Sequence, residues 1–380
     1  MPKGIKQKSM TENPFRYGKT VDGPYFYGRI NELEEIKSSM RNAMNLIIYS
    51  PRRIGKSSLV IKALKDLEAE GHPTVYIDFF KVSSREKFIE LYARELMRGQ
   101  SNWAKGLKWI QGLIRGIQPV MGLDQSGTPE LRLSIDPQQV VRAFEDVINI
   151  PAQAAKGKCW VIVFDEFQEI EKLNGDSFEK ELRASFQHHT NAGYTFLGSQ
   201  RHLMLNMFSR KERAFYNFGK LFRLQKPSEE ESMHFLTQRF RAGGYPVSEE
   251  LVRQILDQTC NIPYYLQYLS AEIWALAKLA SASPNDIYQS ALDRLLINQA
   301  DYFQGIRTQL TAFQSKVLTS VALHGYGSYE SEFLQAYRLF PTSSIQKAYS
   351  RMVELDILEK EGNRFRVTDP FFEVWLKGES

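Results

Sequence analysis

Over residues 1–226, short apolar runs alternate with longer segments in which apolar residues recur at helical spacing. The runs have the length and composition of buried strands, and the longer segments have the periodicity of amphipathic helices. Five strands are predicted in this way, at Asn45–Tyr49, Thr74–Phe80, Cys159–Glu166, Tyr194–Ser199 and Lys220–Leu224. Strands that alternate with helices across short breaks are typical of βαβ units, so the pattern predicts an α/β fold with a parallel sheet.

Residues 99–136 interrupt this alternation. The segment mixes six glycines with apolar residues and with Trp103 and Trp109. Because glycines weaken a helix, we interpret the segment as an insertion that lies over the edge of the sheet. The alternative is an amphipathic surface that contacts a protein partner or a membrane.

Beyond Pro227-Ser228, which marks a helix start and a predicted domain boundary, the pattern is helical as far as residue 304. The last segment has the order of a winged helix, in which three helices precede two short extended runs joined by a turn at Gly362-Asn363. Four domains are therefore predicted: a basic arm over residues 1–24, an α/β core over 25–226, a helical block over 227–304 and a winged helix over 305–380.

The composition is that of a soluble globular protein, with 43% apolar and 24% charged residues in a chain of 380. The polar N-terminal segment and the lack of any apolar run of about eighteen residues predict neither a signal peptide nor a membrane span. Cys159 and Cys260 lie far apart and outside any C-x-x-C pattern. This predicts neither a disulfide framework nor a zinc site, and it favours a reducing cytoplasm.

The net charge of +5 is too small to indicate nucleic-acid binding by itself, but basic residues cluster locally. Residues 1–20 carry five of them against Glu12 alone; the five are Lys3, Lys6, Lys8, Arg16 and Lys19. The winged-helix segment carries nine basic and nine acidic residues, and its candidates for a DNA-binding face are Lys347, Arg351, Arg364 and Arg366. The alternatives are a solvated basic face for the arm and packing against the helical block for the winged helix.

The most informative motif is Ser50-Pro-Arg-Arg-Ile-Gly-Lys-Ser-Ser58, which lies between a predicted strand and a predicted helix. A phosphate-binding P-loop requires this context, and Ser50 replaces only the first glycine of the G-x-x-x-x-G-K-[ST] pattern. Backbone N–H groups at a helix start, a lysine and a hydroxyl bind phosphates and Mg²⁺. The loop supplies them through Ser50, Pro51, Arg52, Arg53, Ile54, Gly55, Lys56, Ser57 and Ser58. The alternative is a plain strand-to-helix turn with a capping serine.

Two adjacent carboxylates, Asp165 and Glu166, end the predicted strand that begins at Cys159. A carboxylate at the tip of a strand beside the loop can hold Mg²⁺ together with Ser57, and its neighbour can polarise an attacking water. We therefore predict Asp165 as a metal ligand and Glu166 as the catalytic residue that activates water. The alternative is an acidic cap at the end of a strand.

Polar residues at the tip of the next predicted strand are candidate sensors of a γ-phosphate. They are Ser199, Gln200 and Arg201. His188 and His189, at the end of the preceding predicted helix, lack partners at metal-ligand spacing and are expected to be surface residues. Upstream of the loop strand, Gly28 and Arg29 directly precede a predicted helix and suggest a contact on the adenine side of a nucleotide.

Taken together, the chain resembles the archaeal-type ATPase family, a branch of P-loop ATPases related to the STAND signalling switches and the replication-initiator AAA+ ATPases. The resemblance covers nearly the whole chain. It rests on a set of motifs that occur in the right order, namely Asn13-Pro-Phe15, Phe26-Tyr-Gly-Arg29, Pro51-Arg-Arg-Ile-Gly-Lys-Ser57, Phe164-Asp-Glu-Phe-Gln168, Gly198-Ser199, Asn261-Ile-Pro-Tyr-Tyr265, Thr368-Asp-Pro-Phe-Phe372 and Trp375.

The resemblance implies an ASCE-type P-loop NTPase core, a helical lid and a C-terminal winged helix, with ATP and Mg²⁺ as cofactors. It further implies that Tyr27, Gly28 and Arg29 lie near the adenine and that Pro263 closes the lid over it. Two positions depart from the family pattern. Gly219-Lys220 stands where the family often has Gly-Arg, and the predicted helix that begins at Pro263 contains no arginine.

Two functions fit these observations. The first is an ATP-hydrolysing molecular switch whose lid and winged helix move with the nucleotide state, either alone or as an oligomer. The second is a nucleotide-gated DNA-binding protein with slow hydrolysis. A third alternative is a protein-interaction scaffold that uses residues 99–136 as its contact surface.

Overall fold

A computed structural model describes residues 12–98, 103–123, 129–153, 157–173 and 175–379. The chain forms two compact units. The first unit comprises Arg29–Lys226, and the second combines the described residues up to Gly28 with the chain from Pro227 onwards. The division into four domains stays a prediction.

The first unit begins with helix α1 (Ile30–Arg41), strand β1 (Leu46–Tyr49) and helix α2 (Lys56–Ala69). The further elements, in chain order, are β2 (Thr74–Asp78), α3 (Arg85–Arg98), α4 (Trp103–Leu113), β3 (Ile117–Leu123), β4 (Pro129–Ile135), α5 (Val140–Gln153), β5 (Trp160–Asp165), α6 (Gly175–Phe186), β6 (Ala192–Gly198), α7 (Arg201–Ser209) and β7 (Lys220–Arg223).

Five of these strands form a parallel sheet in the order β2-β5-β6-β1-β7, which confirms the predicted α/β class. Asp165 lies beside the loop as predicted, because its Oδ2 accepts from the Ser57 hydroxyl, although the strand that ends at Asp165 is not a neighbour of β1 in the sheet. Strand β6 separates them, pairing with β1 through Leu46 and Thr195 and with β5 through Trp160 and Ala192. A βαβ crossover can skip a position, so order along the chain does not fix order in the sheet.

The sheet is covered on its faces, as a parallel sheet requires, and every residue of β1, β5 and β6 is buried. Aromatic rings dominate the core next to β5. The ring centroids of Phe164, Phe167 and Phe196 lie 4.7–6.0 Å apart. Because Phe167 is fully buried, it fixes the short 3-10 helix Phe167–Leu173 that directly follows Glu166.

The described part of the insertion consists of helix α4 and an antiparallel hairpin of β3 and β4. Ile110, Ile114 and Ile117 are buried in the same core as the sheet. Helix α4 forms despite the glycine Gly112 within it, because burying an isoleucine such as Ile110 stabilises by about 1.5–3 kcal/mol and a helical glycine costs about 1 kcal/mol.

His189 is buried rather than at the surface, which corrects the prediction. Its ring lies between the Tyr194 hydroxyl, 2.5 Å from Nδ1, and Asn149 Oδ1, 2.9 Å from Nε2. Since Oδ1 can only accept, Nε2 carries the proton and Nδ1 accepts from Tyr194. Burial, helped by His188, lowers the pKa of His189 to about 4. The spacing of single residues could not reveal this, because both partners come from other elements.

Over residues 227–379, the second unit contains eight helices and a hairpin. They are α8 (Glu229–Ala242), α9 (Glu249–Gln258), α10 (Pro263–Ala280), α11 (Pro284–Thr308), α12 (Ala312–His324), α13 (Ser331–Ala336), α14 (Thr342–Glu354), β8 (Leu358–Glu361), β9 (Arg364–Val367) and, after the hairpin, α15 (Pro370–Gly378). Helices α12 to α14 and the β8–β9 hairpin form the predicted winged helix, and Gly327 adds an antiparallel bridge to Phe365.

The helical block and the winged helix share one hydrophobic core. Tyr265 on α10 contacts Phe371 on α15, with 5.3 Å between the ring centroids. Phe303 on α11 stacks on Phe372, with 5.2 Å between the centroids. The winged helix therefore packs against the helical block, which is one of the two alternatives drawn from the sequence.

The described part of the N-terminal arm also packs within the second unit. Asn13 Nδ2 donates to the Ala271 carbonyl at 3.0 Å. The Tyr25 ring lies between the guanidinium groups of Arg16 and Arg239, which are 4.2 and 4.7 Å from its centroid. Arg16 contacts Tyr25 and is still exposed, so the role of the basic arm in binding DNA stays a prediction.

Of the other basic residues in the arm, Lys19 is exposed, and Lys3, Lys6 and Lys8 lie outside the described residues. None of the helices in the described ranges combines the length and the apolar character that a membrane crossing needs.

Candidate functional site

The predicted P-loop joins β1 to α2 at the carboxyl edge of the sheet. Arg53 and Gly55 have left-handed backbone conformations, with φ angles of 69° and 98°. Gly55 directly precedes Lys56, the first residue of α2. The Lys56 side chain is buried, and its Nζ donates to the Ser50 carbonyl at 3.3 Å. The lysine therefore folds back towards the start of the loop, and the first N–H groups of α2 have no acceptor within the helix.

Ser50, which stands at the first-glycine position, fits this loop without strain. It is buried and does not have a positive φ angle, so its backbone needs no glycine. Its N–H donates to the Gly198 carbonyl at 3.4 Å, and its hydroxyl donates to the Pro51 carbonyl at 3.2 Å. The loss of the glycine therefore leaves the loop conformation intact.

Ser57 and Asp165 meet across the carboxyl edge. The Ser57 hydroxyl donates to Asp165 Oδ2 at 2.7 Å, and the Tyr76 hydroxyl on β2 donates to the same oxygen. Burial first, and then the negative charge of Asp165, raise the pKa of Tyr76 far above its usual range. The phenol thus stays protonated and keeps donating to the carboxylate.

A further carboxylate, Asp78, ends β2 and lies opposite Asp165 in the sheet register. Burial raises the pKa of Asp78, and the charges of Asp165 and Glu166 act in the same direction, whereas the Phe80 N–H and Lys81 oppose the shift. Negative charge is therefore concentrated at this edge, as expected where a divalent cation binds.

Glu166 directly follows β5 in a left-handed conformation with φ of 50°. Positive φ angles are rare outside glycine and concentrate at functional sites. Its Oε2 accepts from the Ser199 hydroxyl at 2.6 Å and from Gln168 Nε2 at 2.5 Å. The carboxylate is thus held between the end of β5 and the end of β6, at the same edge as Ser57 and Asp165.

The predicted sensor residues separate in the structure. Ser199 contacts Glu166 as described, and Arg52 of the loop approaches the Ser199 hydroxyl, with Nε 3.5 Å away. Gln200 stands at the N-cap position of α7 without a capping hydrogen bond from its side chain, and Arg201 is the first residue of that helix and is exposed. The structure therefore brings Ser199 into the polar cluster, whereas no described contact joins Arg201 to it.

Arg29 supports the P-loop through a hydrogen bond to its backbone. Its side chain is buried, its backbone is left-handed with φ of 62°, and its Nη2 donates to the Ile54 carbonyl at 2.8 Å. Ile54 of the loop and Ser58 in the first turn of α2 are also buried. The sequence predicted Arg29 as an adenine contact; the contact observed is with the P-loop itself.

Tyr27, Gly28 and Pro263 belong to the second unit. The Tyr27 ring stacks on Phe235 at 4.0 Å between centroids. Gly28 has a positive φ of 62°, and a side chain there would meet the Glu231 carboxylate at 2.9 Å. Pro263 is the first residue of α10, where its missing N–H is harmless. Their predicted nucleotide contacts stay predictions.

The donor set at the sheet edge fits Mg²⁺. The ion favours hard oxygen ligands, and in nucleotide sites it is usually held by one or two protein oxygens, phosphates and water. The Ser57 hydroxyl and the Asp165 carboxylate are such oxygens and already lie within hydrogen-bond distance of each other. Within the described ranges, no group of three or more His, Cys, Asp or Glu residues forms an alternative metal site.

The sequence reasoning missed two residues of this cluster, Tyr76 and Gln168. Tyr76 lies on β2 and reaches Asp165 only because β2 and β5 pair in register. Gln168 lies two residues after Glu166 in the Phe164-Asp-Glu-Phe-Gln168 motif, and that position is a signal in the sequence that could identify it.

Comparison with known families identifies the core. A family model described as an ATPase domain predominantly from Archaea matches residues 26–269, which is more than half of the chain. The chain belongs to this archaeal ATPase family. The match covers the loop, the Asp165-Glu166 pair and Ser199 of this ATPase domain, and it confirms the resemblance drawn from the motifs. A second model, of a probable winged helix domain, matches residues 301–378. Among curated proteins the sequence finds no match.

Solved structures share the fold of the whole chain. A Walker-type ATPase of Pyrococcus abyssi is 16% identical, with a TM-score of 0.66 over 96% of this chain and 99% of that one. The ORC2 protein of Aeropyrum pernix, solved as ADPNP-ADP complexes, is 13% identical, with a TM-score of 0.57 over 96% and 98%. The ORC1 protein of Aeropyrum pernix, solved with DNA, is 14% identical, with a TM-score of 0.51 over 95% and 94%. At these identities the likeness shows the fold alone.

The Gly219-Lys220 pair of the ATPase domain has a structural explanation. A side chain at position 219 would lie 2.5 Å from the Asn45 carbonyl oxygen, so only glycine fits there. Lys220 Nζ pairs with Glu35 Oε1 at 2.5 Å. The nearby Arg213 pairs with Glu171 at 3.0 Å, and with the fully buried Glu179. Both cations therefore have partners inside the domain.

The four basic candidates of the winged helix are all exposed. Lys347 and Arg351 lie on α14, where Arg351 Nη1 is 3.3 Å from Glu354 Oε2. Arg364 and Arg366 lie on β9, and the Arg364 guanidinium stacks over Tyr326 at 4.2 Å. We refer to these four residues as the wing face.

Proposed function

We propose that the protein binds ATP with Mg²⁺, hydrolyses it, and works as a STAND/AAA+-like molecular switch that couples the nucleotide state to the helical block and the winged helix. The observation that carries this proposal is the convergence of Lys56, Ser57, Asp165, Glu166 and Ser199 at one edge of the sheet. These residues come from three separate chain segments, and a structural turn alone would not require them to meet.

Each residue has a defined task in this proposal. The loop N–H groups and Lys56 hold the phosphates, and Ser57 with Asp165 holds Mg²⁺, which neutralises the charge that develops on the phosphates. Glu166 accepts a hydrogen bond from the attacking water and aligns it. Ser199 fixes Glu166 and, with Arg52 beside it, lies where a γ-phosphate contact is expected.

The test compares ATP binding by Lys56→Ala and by Lys62→Ala. Lys62 lies on the same helix and pairs with Asp66, so it controls for the loss of a charge on α2. We expect Lys56→Ala to weaken Mg-ATP binding by about 10–100-fold, because a charge-assisted contact with phosphate is lost. Lys62→Ala should bind like the wild type. Equal affinities of Lys56→Ala and the wild type by calorimetry would contradict the proposal.

A second candidate is nucleotide-gated DNA binding with slow hydrolysis. The winged helix and the exposed wing face favour it. The neighbouring ORC1 structure of Aeropyrum pernix was solved with DNA, which is a statement about that protein. A salt titration of duplex DNA binding with and without ATP tests it, because phosphate contacts make affinity fall steeply with salt. Absence of binding at low salt in both nucleotide states would exclude DNA as a direct partner.

The insertion remains a proposed surface for a protein partner. Its described core residues are buried in the core of the first unit, where the segment packs on α3 and α5, so a partner would meet the outer side of α4 and the hairpin. Replacing residues 99–136 by a short linker while measuring ATP turnover and oligomeric size would separate a docking role from a catalytic one. A cytoplasmic location and an oligomeric form of the protein are also proposals.

A further inference from the structure

The buried glutamine Gln168 directly contacts the proposed catalytic carboxylate. It is 2% exposed, and its Nε2 donates to Glu166 Oε2 at 2.5 Å. The orientation of the amide follows from charge, because only the NH₂ end can face a carboxylate. Gln168 lies on the 3-10 helix that the fully buried Phe167 anchors, so its position relative to β5 is fixed.

The hydrogen bonds to Glu166 are asymmetric. Oε2 accepts from Gln168 Nε2 at 2.5 Å, from the Ser199 hydroxyl at 2.6 Å and from the Ser199 N–H at 3.4 Å. Among the described residues, no donor contacts Oε1. One oxygen is therefore anchored to the protein while the other is left to accept from a water.

The backbone of β6 makes room for this glutamine. A side chain at Gly198 would lie 2.8 Å from Gln168 Oε1 and 2.3 Å from Met204. Gly198 does not have a positive φ, so the need for glycine is one of space and not of backbone conformation. Gly198 thus leaves space for the Gln168 side chain, and the next residue, Ser199, donates the second hydrogen bond to Glu166 Oε2.

A purely structural role explains Gln168 poorly. Its Oε1 is buried and has no hydrogen-bond partner among the described residues. An unpaired buried polar atom is costly, and an apolar side chain of the same size would fill the space without that cost. The amide is therefore best explained by its one strong contact, with Glu166.

We infer that Gln168 is a positioning residue that, together with Ser199, holds Glu166 by Oε2 and so presents Oε1 to the attacking water. The expected effect of Gln168 on turnover rests on the proposed ATP hydrolysis. The orientation of Glu166 itself can be tested without turnover.

The first experiment measures kcat and the ATP dissociation constant for Gln168→Met, which keeps the volume and removes the donor. We expect kcat to fall by about 10–100-fold, because a loosely held base loses its alignment, while the ATP dissociation constant stays unchanged. The matched control is Thr195→Val, since Thr195 is a fully buried position of β6 whose hydroxyl has no partner among the described residues. It should turn over ATP like the wild type. Wild-type kcat in Gln168→Met would overturn the inference.

The second experiment changes the charge instead of removing the donor. In Gln168→Glu two carboxyl groups lie within hydrogen-bond distance, and such a pair resists losing its last proton. The acid limb of the pH profile of kcat should move to higher pH by about one unit or more. A variant that loses activity equally at every pH would count against a positioning role.

The third experiment is independent of hydrolysis. In the nucleotide-free protein, the Gln168 side-chain amide proton should resonate at low field by NMR, assigned by its loss in Gln168→Met. In Glu166→Ala the resonance should move upfield. If the wild type does not hydrolyse ATP but this shift is seen, the proposed function fails and the positioning contact stands. If the resonance does not respond to Glu166→Ala, the inference fails whatever the ATPase rate.

Discussion

The carboxyl edge of the sheet and the wing face both concentrate polar residues, but they do so in opposite ways. At the sheet edge, Asp165 and Ser199 are buried, Ser57 and Glu166 are half-buried, and hydrogen bonds join Ser57 to Asp165 and Ser199 to Glu166. On the wing face, the four cations are exposed, and their described contacts are with neighbours in the winged helix.

The difference teaches what each surface is suited for. Groups that are held in place and shielded from water need no reorganisation when charge develops, which is the requirement of catalysis. Exposed cations on long side chains are screened by salt and adapt to a partner, which suits binding without chemistry. The sheet edge is therefore where substitutions should change turnover, and the wing face is where they should change only binding.

The largest effect is expected for Glu166→Gln. The amide keeps the size of the side chain and cannot accept a proton from water, so turnover should fall by about 10²–10⁴-fold while ATP binding is retained. The comparison variant, Lys347→Ala with Arg366→Ala, should hydrolyse ATP at the wild-type rate. A phosphate-release assay on both variants measures this, and equal rates for Glu166→Gln and the wild type would remove the catalytic assignment.

A smaller effect is expected for Gly198→Ala. The new methyl group would meet Met204 at 2.3 Å, and overpacking of this kind costs about 1–3 kcal/mol in unfolding free energy. Urea denaturation measures the loss. Gly112→Ala is the matched control, because Gly112 lies in helix α4 with open space around it, and alanine there should stabilise by up to about 1 kcal/mol. Equal stability of Gly198→Ala and the wild type would mean that β6 is less tightly packed than described.

A change at Tyr76 tests whether its hydrogen bond to Asp165 stabilises the sheet edge. Tyr76→Phe removes the donor to Asp165 Oδ2 and should lower the unfolding free energy by about 1–2 kcal/mol, since the acceptor is charged. Tyr302→Phe is the control, because Tyr302 is 57% exposed and should be neutral. If both variants have the same unfolding midpoint in urea, the Tyr76 contact does not stabilise the edge.

The smallest effect concerns the wing face. If DNA binds there, Lys347→Ala should reduce the slope of log affinity against log salt by about 0.9, the value for one phosphate contact. Arg351→Ala should reduce it less, because Glu354 already pairs with that guanidinium. The control, Arg253→Ala with Arg294→Ala, removes two cations from α9 and α11 and should leave the slope unchanged. Equal slopes for all variants would show that the wing face does not contact the DNA backbone.

Much of the site could be predicted from the sequence because its parts are local. The P-loop is a continuous segment between a strand and a helix, and Asp165 and Glu166 are adjacent. The position of Lys56 and Ser57 in the P-loop pattern is enough to predict them as phosphate and Mg²⁺ ligands. The ATPase family match covers these segments. Ser50 was acceptable in place of glycine because its φ angle is not positive, which the sequence could not tell.

The contacts between segments could not be predicted in the same way. Arg201 and Ser199 were equal candidates by sequence, and only the end of β6 decided that Ser199 reaches Glu166. His189 looked like a surface residue until α5 and β6 supplied Asn149 and Tyr194. Each of these outcomes depends on which strand or helix lies next to which.

The sequence by itself determined the order of strands and helices, the P-loop, the acidic pair and the winged helix, because these follow from periodic burial and from residues close together in the chain. The tertiary structure alone decided that β6 lies between β1 and β5. That choice places Ser199 and the space at Gly198 beside Glu166 and Gln168. Neighbours across a parallel sheet are set by crossovers and packing over long sequence distances, and local periodicity carries no information about them.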